Sequence, residues 1–396
     1  MARGSSGNAP GGNPALATDF IAKGSSDARV VAGEILSAAL NKDPFDQFTG
    51  FSKDNAVYAV EETRKGATSC TIWIDAGLSG DGVRGNQNLD ENIDRRNKLP
   101  FYFHGNVIAN SVESEVDLLE NRMLIPKERR VAKRDLTDWW IKKTVREKFY
   151  TLSADLTNVV YVKSDGTVKE AAADLAAGDT FNTHYLDEMM KRAKDGWTDS
   201  NGVEHPPLIP VVVEKKDEQG NITQTKEIYP VFVGPESYRS LTNDPRWIEY
   251  QKALAQDGSS SWIKGYSGRW HNLVIIEVGR DRSTGGIDRV GIIRSDSPDF
   301  TGVSGTYTGF DAYKAGDGTV TEINFIMGAG ALGIGFDTKP RYMEDSNWDS
   351  SRKTLFWLDG FFGAKKIKAV GETTEQQASI YHNKDFGVIG AVATIK

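Results

Sequence analysis

Sulfur chemistry is nearly absent from this sequence. One cysteine, Cys70, stands in 396 residues, so no internal disulfide forms and a Cys-stapled secreted scaffold is excluded. A cysteine-based zinc site falls with it, since such sites take two or more nearby thiolates or a histidine cluster. The five histidines, spread over the whole length, do not supply one. No apolar run approaches the ~18–20 residues that a membrane-crossing helix takes. Met1 to Pro14 consists largely of Gly, Ser, Asn and Pro without an apolar stretch, so it does not read as a signal peptide. Bulk positive charge is missing too. The chain has 48 Lys plus Arg against 55 Asp plus Glu, a net charge of -7, which offers no argument from composition for nucleic-acid binding. What remains is an apolar share of 39% and forty glycines. That is enough for a real core, with many turns or extended loops around it. The expected class is a soluble, mixed protein of a reducing compartment, holding two or three domains or one large one.

Residues 1 to about 26 repeat Gly, Ser and Asn and read as a flexible arm. Asp27 then precedes apolar residues at helical spacing from Ala28 to Leu40, which predicts a short helix ended before Pro44. Thr68–Ile74 and Phe101–Ala109 have strand composition. The long polar connection between them carries Gly77, Gly80, Gly82 and Gly85, so the pair reads as an extended hairpin. Two strands alone are marginal, and this hairpin must lie on its own domain or on a neighbouring subunit. Pro126 opens the longest helical signal, with Leu136, Trp139, Trp140, Val145, Phe149 and Leu152 on one stripe and an expected length of roughly 40 Å. Further strands are expected at Val159–Val162, Ile209–Val213, Ile228–Val233, Leu273–Val278, Thr321–Met327, Lys366–Val370 and Phe386–Ile395. Helices are expected at Asn182–Lys194 and, in two pieces broken at Pro245, over Pro235–Leu254. Asp281–Gly318 reads as a loop insertion. The order is α+β, without regular βαβ alternation.

Three motif matches fail on context. Gly328-Ala329-Gly330-Ala331-Leu332-Gly333 fits a dinucleotide fingerprint, but Gly335 and Pro340 forbid the helix that such a site needs next. The expected structure is a tight crossing of two backbones. Asp385-Phe386-Gly387 lacks every other element of a kinase. His184 and Glu188, one turn apart, make half of a metal constellation and read as a solvated helix face. No spacing among His104, His205, His271 and His382 supports a catalytic triad, although a triad can assemble from distant positions. No catalytic, cofactor or metal residue is assigned, and an enzyme with a dispersed site is the alternative reading. One charge feature stands out. Asn121–Tyr150 holds ten Lys plus Arg against four acids, six positive charges in excess inside a chain of net -7. It reads either as a solvated face paired with acidic neighbours or as a surface facing a polyanion.

Several segments in this order carry a resemblance. They are Leu78–Gly85 (LSGDGVRG) with Asn88-Leu89, the run from Glu128 to Trp140 (ERRVAKRDLTDWW), Val231–Trp247 (VFVGPESYRSLTNDPRW), and Trp262-Ile263-Lys264-Gly265 leading to Leu273-Val274-Ile275. With the small-residue stretch Gly328–Gly335, the chain resembles the tailed-phage major capsid protein fold and is similar to the schitovirus-type major capsid family. The resemblance implies a shell protein that forms hexamers and pentamers of an icosahedral head around double-stranded DNA, in the virion and assembled in the host bacterial cytoplasm. A cargo shell of encapsulin type shares that fold. Implied partners are further copies, packaged DNA, a portal, and possible scaffold and decoration proteins, with no cofactor and no membrane. The implied divisions are an arm (1–51), an extended loop (52–115), a peripheral domain with the spine helix (116–232 and 366–396) and an axial domain (233–365). Gly80, Asp81, Gly82, Arg84 and Gly85 become candidates for the intersubunit loop. Arg129, Arg130, Lys133 and Arg134 become candidates for a basic spine face.

Overall fold

The apolar stripe from Leu136 to Leu152 forms one α-helix, α1, over Asn121–Ser153. It starts five residues before Pro126, so that proline falls in the second turn and removes one backbone hydrogen bond there. At 33 residues the helix is about 50 Å long. The structure, a computed structural model, describes residues 43–52, 54–61, 69–75, 98–113, 121–216, 222–256, 266–279, 290–336, 340–347, 353–368 and 379–395, with 370 and 377. The expected arm and its helix before Asp43 lie outside these residues.

In chain order the longer strands begin with β1 (Val57–Glu61), β2 (Ser69–Asp75), β3 (Lys98–His104), β4 (Asn106–Glu113), β5 (Val159–Val162), β6 (Val211–Lys216), β7 (Ile222–Val233), β8 (Tyr266–Trp270) and β9 (Leu273–Glu277). They continue with the short pair β10 (Phe300–Thr301) and β11 (Thr306–Tyr307), then β12 (Thr321–Met327), β13 (Leu332–Phe336), β14 (Arg341–Asn347), β15 (Lys353–Lys366) and β16 (Val388–Thr394). Three further helices are α2 (Thr183–Asp195), α3 (Pro235–Thr242) and α4 (Pro245–Gln256).

Two sheets share the spine helix. The first runs β1–β13–β15–β14, and β4 pairs with the opposite edge of β15. The second runs β8–β9–β7–β12–β16–β5, with β6 on β7. These pairings cross the division expected at 232/233, because β7 bonds to β9 and β12. They also separate β12 from β13, β14 and β15, all expected in one axial unit. The strands between 233 and 365 therefore divide at the turn 328–331, not at the expected boundaries. Sheet partners here are far apart in sequence, which no linear segmentation captures.

Helix α1 packs on the first sheet through Leu136 and Trp140 and reaches the second through Phe149. The Phe149 ring lies 4.9 Å from Phe45 and 6.0 Å from Phe325 of β12. Phe45 also lies 4.8 Å from Phe232 of β7. Buried aromatic groups of this size dominate core energetics. Together with Phe48 they join helix, second sheet and the first described residues of the chain. β12 and β16 are buried at every position, as continuous apolar runs predict.

Three expectations need correction. Residues 353–366 form the longest strand among the described residues, whereas only Lys366–Val370 was expected as strand there. Gly360 and Gly363 lower the local strand propensity, but pairing along both edges of β15 overrides it. The expected hairpin strand Phe101–Ala109 divides at Gly105 into β3 and β4, which pair with different partners. The expected loop 281–318 contains buried core: Ile292 and Ile293 are 1% and 0% exposed, and Arg294 bridges to Glu322 of β12. Polar neighbours had hidden that apolar pair.

Candidate assembly surfaces

The hairpin β2–β3 has two faces of opposite character. Cross-strand register sets Cys70 opposite Phe103 and Ile72 opposite Phe101. These four side chains are buried against Tyr58 and Val60 of β1 and Phe361 of β15. The other face carries Thr71, Trp73 and Tyr102. Trp73 is 50% exposed and Tyr102 48%. A strand alternates its side chains across the sheet, so one buried row fixes the other outward.

The glycine-rich stretch explains how the hairpin docks. Leu332 and Ile334 of β13 point into the helix-side core, and the alternate positions Gly333 and Gly335 meet the hairpin. A Cβ on Gly333 would lie 2.8 Å from Ile72 Cδ1, and one on Gly335 would lie 2.7 Å from Cys70 Sγ. A side chain at either position would have to displace the end of Ile72 or Cys70, so glycine lets the two layers approach this closely. The preceding turn carries no free donors for a phosphate. Gly328 N donates to Gly387 O, Ala329 N to Ile209 O, Gly330 N to Asn55 O, and Ala331 N to Ala56 O, at 2.8–2.9 Å. The dinucleotide fingerprint is a backbone crossing, as expected from its sequence context.

The candidate loop residues Gly80, Asp81, Gly82, Arg84 and Gly85 lie outside the described residues, between the ends of β2 and β3. The described residues add what the sequence reading missed: Trp73 and Tyr102 at the base of that loop. The alternation in Thr68–Ile74 was the available signal, but sequence alone does not say which face is covered.

The basic helix divides along its length. Arg129 lies in α1, and its side chain is outside the described residues. Arg130 and Lys142 are exposed, and Lys133 is half-buried. Arg134 is exposed and forms an ion pair with Asp135 at 3.0 Å. Further along, cations turn inward. Lys148 forms a buried ion pair with Asp43, with side chains 5% and 6% exposed. Lys143 lies 5.1 Å from the centre of the Phe300 ring. Glu147 accepts hydrogen bonds from Val303 N, Ser304 N and Tyr307 Oη, each 2.9 Å. The same strap, β10–β11, is tied by Ala364 N to Ser304 Oγ at 2.8 Å. Burial, followed by the Glu147 charge, pushes the Tyr307 phenol well above its usual range. The cations from Lys143 onward therefore depart from the expected solvated face, whereas Arg130, Arg134 and Lys142 are exposed.

The remaining motifs are structural. Glu188 is buried and accepts from Arg192 Nε at 3.0 Å, not a solvated group as expected; the fully buried Arg192 guanidinium draws it in. His184 lies at the exposed start of α2 beside Arg246. Asp385 of the Asp-Phe-Gly triplet pairs with buried Lys366 at 3.0 Å and accepts from Thr157 N. Lys366 also donates to Ala154 O and Asp155 O, and burial lowers its pKa. This knot joins the ends of α1 and β15 to the start of β16. Among the described residues, no three His, Cys, Asp or Glu side chains group to hold a metal.

A long helix on one sheet, a second buried sheet and a hairpin with one covered face make an α+β fold with a hairpin face left uncovered. Comparison with known proteins gives its family. The phage capsid protein family matches residues 142–395, and the chain belongs to that family. It is similar to the major structural protein ORF14 of Helicobacter pylori bacteriophage KHP30, 23% identical over 384 residues, covering 92% of this chain and 94% of that protein. Its fold is similar to that of the acidic stable capsid structure of the same phage, with a TM-score of 0.70 at 19% identity, covering 89% and 91% of the two chains. The capsid of Ralstonia phage GP4 gives a TM-score of 0.60 at 18% identity, covering 88% and 90%. The chain has the tailed-phage major capsid fold and is a structural protein of the phage shell.

Proposed function

We propose that this chain builds a closed icosahedral head from hexamers and pentamers, enclosing double-stranded DNA, and that it does so without catalysing a reaction. Assembly in the host cytoplasm, with a portal and any scaffold or decoration protein, belongs to the same reading. The observation that carries it is the hairpin β2–β3. Its inner face is satisfied within the subunit, and its outer face offers Trp73 and Tyr102 to another copy. Heterologous contacts of this kind close into rings and shells. The outer face of this hairpin then lies over a neighbour, while β1 and β4 stay in the subunit's own first sheet. The first sheet with α1 forms the peripheral part, and the second sheet forms the axial part at the capsomer centre.

Deleting residues 77–97 tests this reading. Electron microscopy of the full chain is expected to show closed particles or rings. The deletion is expected to leave a folded subunit that forms neither. Closed shells from the deletion variant would contradict the loop's role, and a persistent small monomer from the full chain would contradict the reading as a whole.

A further inference from the structure

The ten cations of Asn121–Tyr150 differ in what they can reach. Beyond Lys142 the strap and the core take up Lys143 and Lys148, and Arg146 is half-buried. Lys143 lies on Phe300, Lys148 is buried on Asp43, and Glu147 is spent on the strap's own backbone. Before Lys143 the helix shows a different side. Ala132, Leu136 and Trp140 face the core, leaving Arg130, Arg134 and Lys142 exposed on the outward sector.

We propose that Arg130, Arg134 and Lys142, flanked by Lys133, form a surface that contacts the phosphate backbone of double-stranded DNA, and that the β10–β11 strap sets where this surface ends. The proposal rests on the reading of the chain as a shell around DNA. From Arg130 to Lys142 the helix rises about 18 Å. A duplex carries one charge per ~1.7 Å of axis over its two strands, so about ten phosphates lie along that length, and the long side chains can reach those on the facing side. Arginine suits this contact because its planar fork grips two phosphate oxygens. The Arg134–Asp135 pair is solvent-exposed, and such pairs contribute little, so a phosphate can displace the carboxylate. Two acids, Asp135 and Asp138, stand among the four cations. They hold the net charge low, which suits contact that is independent of sequence and readily reversed. Nothing on this sector is aimed at base edges, and contacts to phosphate carry no sequence information.

The test is binding of the dispersed full-length subunit to a short mixed-sequence DNA duplex, followed by fluorescence anisotropy across a salt series. Neutralising three phosphate contacts in Arg130→Gln/Arg134→Gln/Lys142→Gln is expected to lower the slope of log affinity against log salt by about 3. The loss should be the same for duplexes of unrelated sequence. Lys191→Gln, a neutralised exposed lysine on α2, is expected to leave the slope unchanged. An unchanged slope in the triple variant, an equal loss in Lys191→Gln, or no binding by the unaltered chain would each overturn the proposal. Electron microscopy of the same triple variant separates the two readings. Closed shells that retain less nuclease-protected DNA support the surface. Failure to close with an unchanged slope makes this face a subunit contact and overturns it. If the unaltered chain never forms shells while the triple variant loses slope, the shell reading fails and the phosphate surface stands.

Discussion

The second half of the spine helix and the base of the loop hairpin treat their side chains in opposite ways. Around Phe149, charge and apolar surface are matched within the subunit: Lys148 by Asp43, Glu147 by the strap, and the ring itself by Phe45, Phe232 and Phe325. The hairpin matches only one face, through Cys70, Ile72, Phe101 and Phe103, and leaves Trp73 and Tyr102 to solvent. On the function proposed above, the difference separates what folds a subunit from what joins subunits. Substitutions in the first region should unfold the protein. Substitutions on the outer face of the second should leave it folded and disassembled.

The largest effect is expected at Phe149. Phe149→Ala empties a site between the helix, Phe45 and the second sheet and should cost about 3–5 kcal/mol in denaturant unfolding. A cost below ~1 kcal/mol would show that this ring does not hold the helix to the second sheet. Next comes the buried ion pair. Lys148→Met leaves Asp43 charged and buried, at a cost of about 3–5 kcal/mol. Adding Asp43→Leu should recover most of that loss, since an apolar pair replaces an ionic one with little change. No recovery would place the Lys148 effect elsewhere. A smaller effect is expected where the hairpin meets the first sheet. Gly335→Val forces the layers apart at Cys70, for about 1–3 kcal/mol, and should expose the Cys70 thiol to a labelling reagent. A thiol that stays unreactive would mean the glycine spacing does not set the docking.

Much of this comparison is legible in the sequence. The Leu136–Leu152 stripe, the Leu273–Ile276 run and Thr321–Met327 kept their periods because each is decided by local pattern and burial. β15 escaped notice because Gly360 and Gly363 interrupt it, and its strand character comes from partners on both edges. The same is true of β13, whose Leu-Gly-Ile-Gly alternation makes sense only once the hairpin is laid upon it. The charge excess of the helix was visible at once. Its division at Lys143 was not, because Asp43 and Phe300, which take up Lys148 and Lys143, lie far from them along the chain. The loop residues Gly80 to Gly85 were named from a resemblance. Trp73 and Tyr102, at the base of that loop, are what the packing adds.

The smallest expected effect on stability falls on the outer face, and it decides the account. Surface substitutions away from packed sites usually change stability by less than ~0.5 kcal/mol, so the outward Trp73 and Tyr102 contribute little to the lone subunit. The most direct measurement is hydroxyl-radical footprinting of Trp73 and Tyr102 in the dispersed subunit and again in assembled particles. Strong oxidation of both in the subunit and protection on assembly is the predicted result. Equal oxidation in both states would contradict the claim that this face joins one copy to the next.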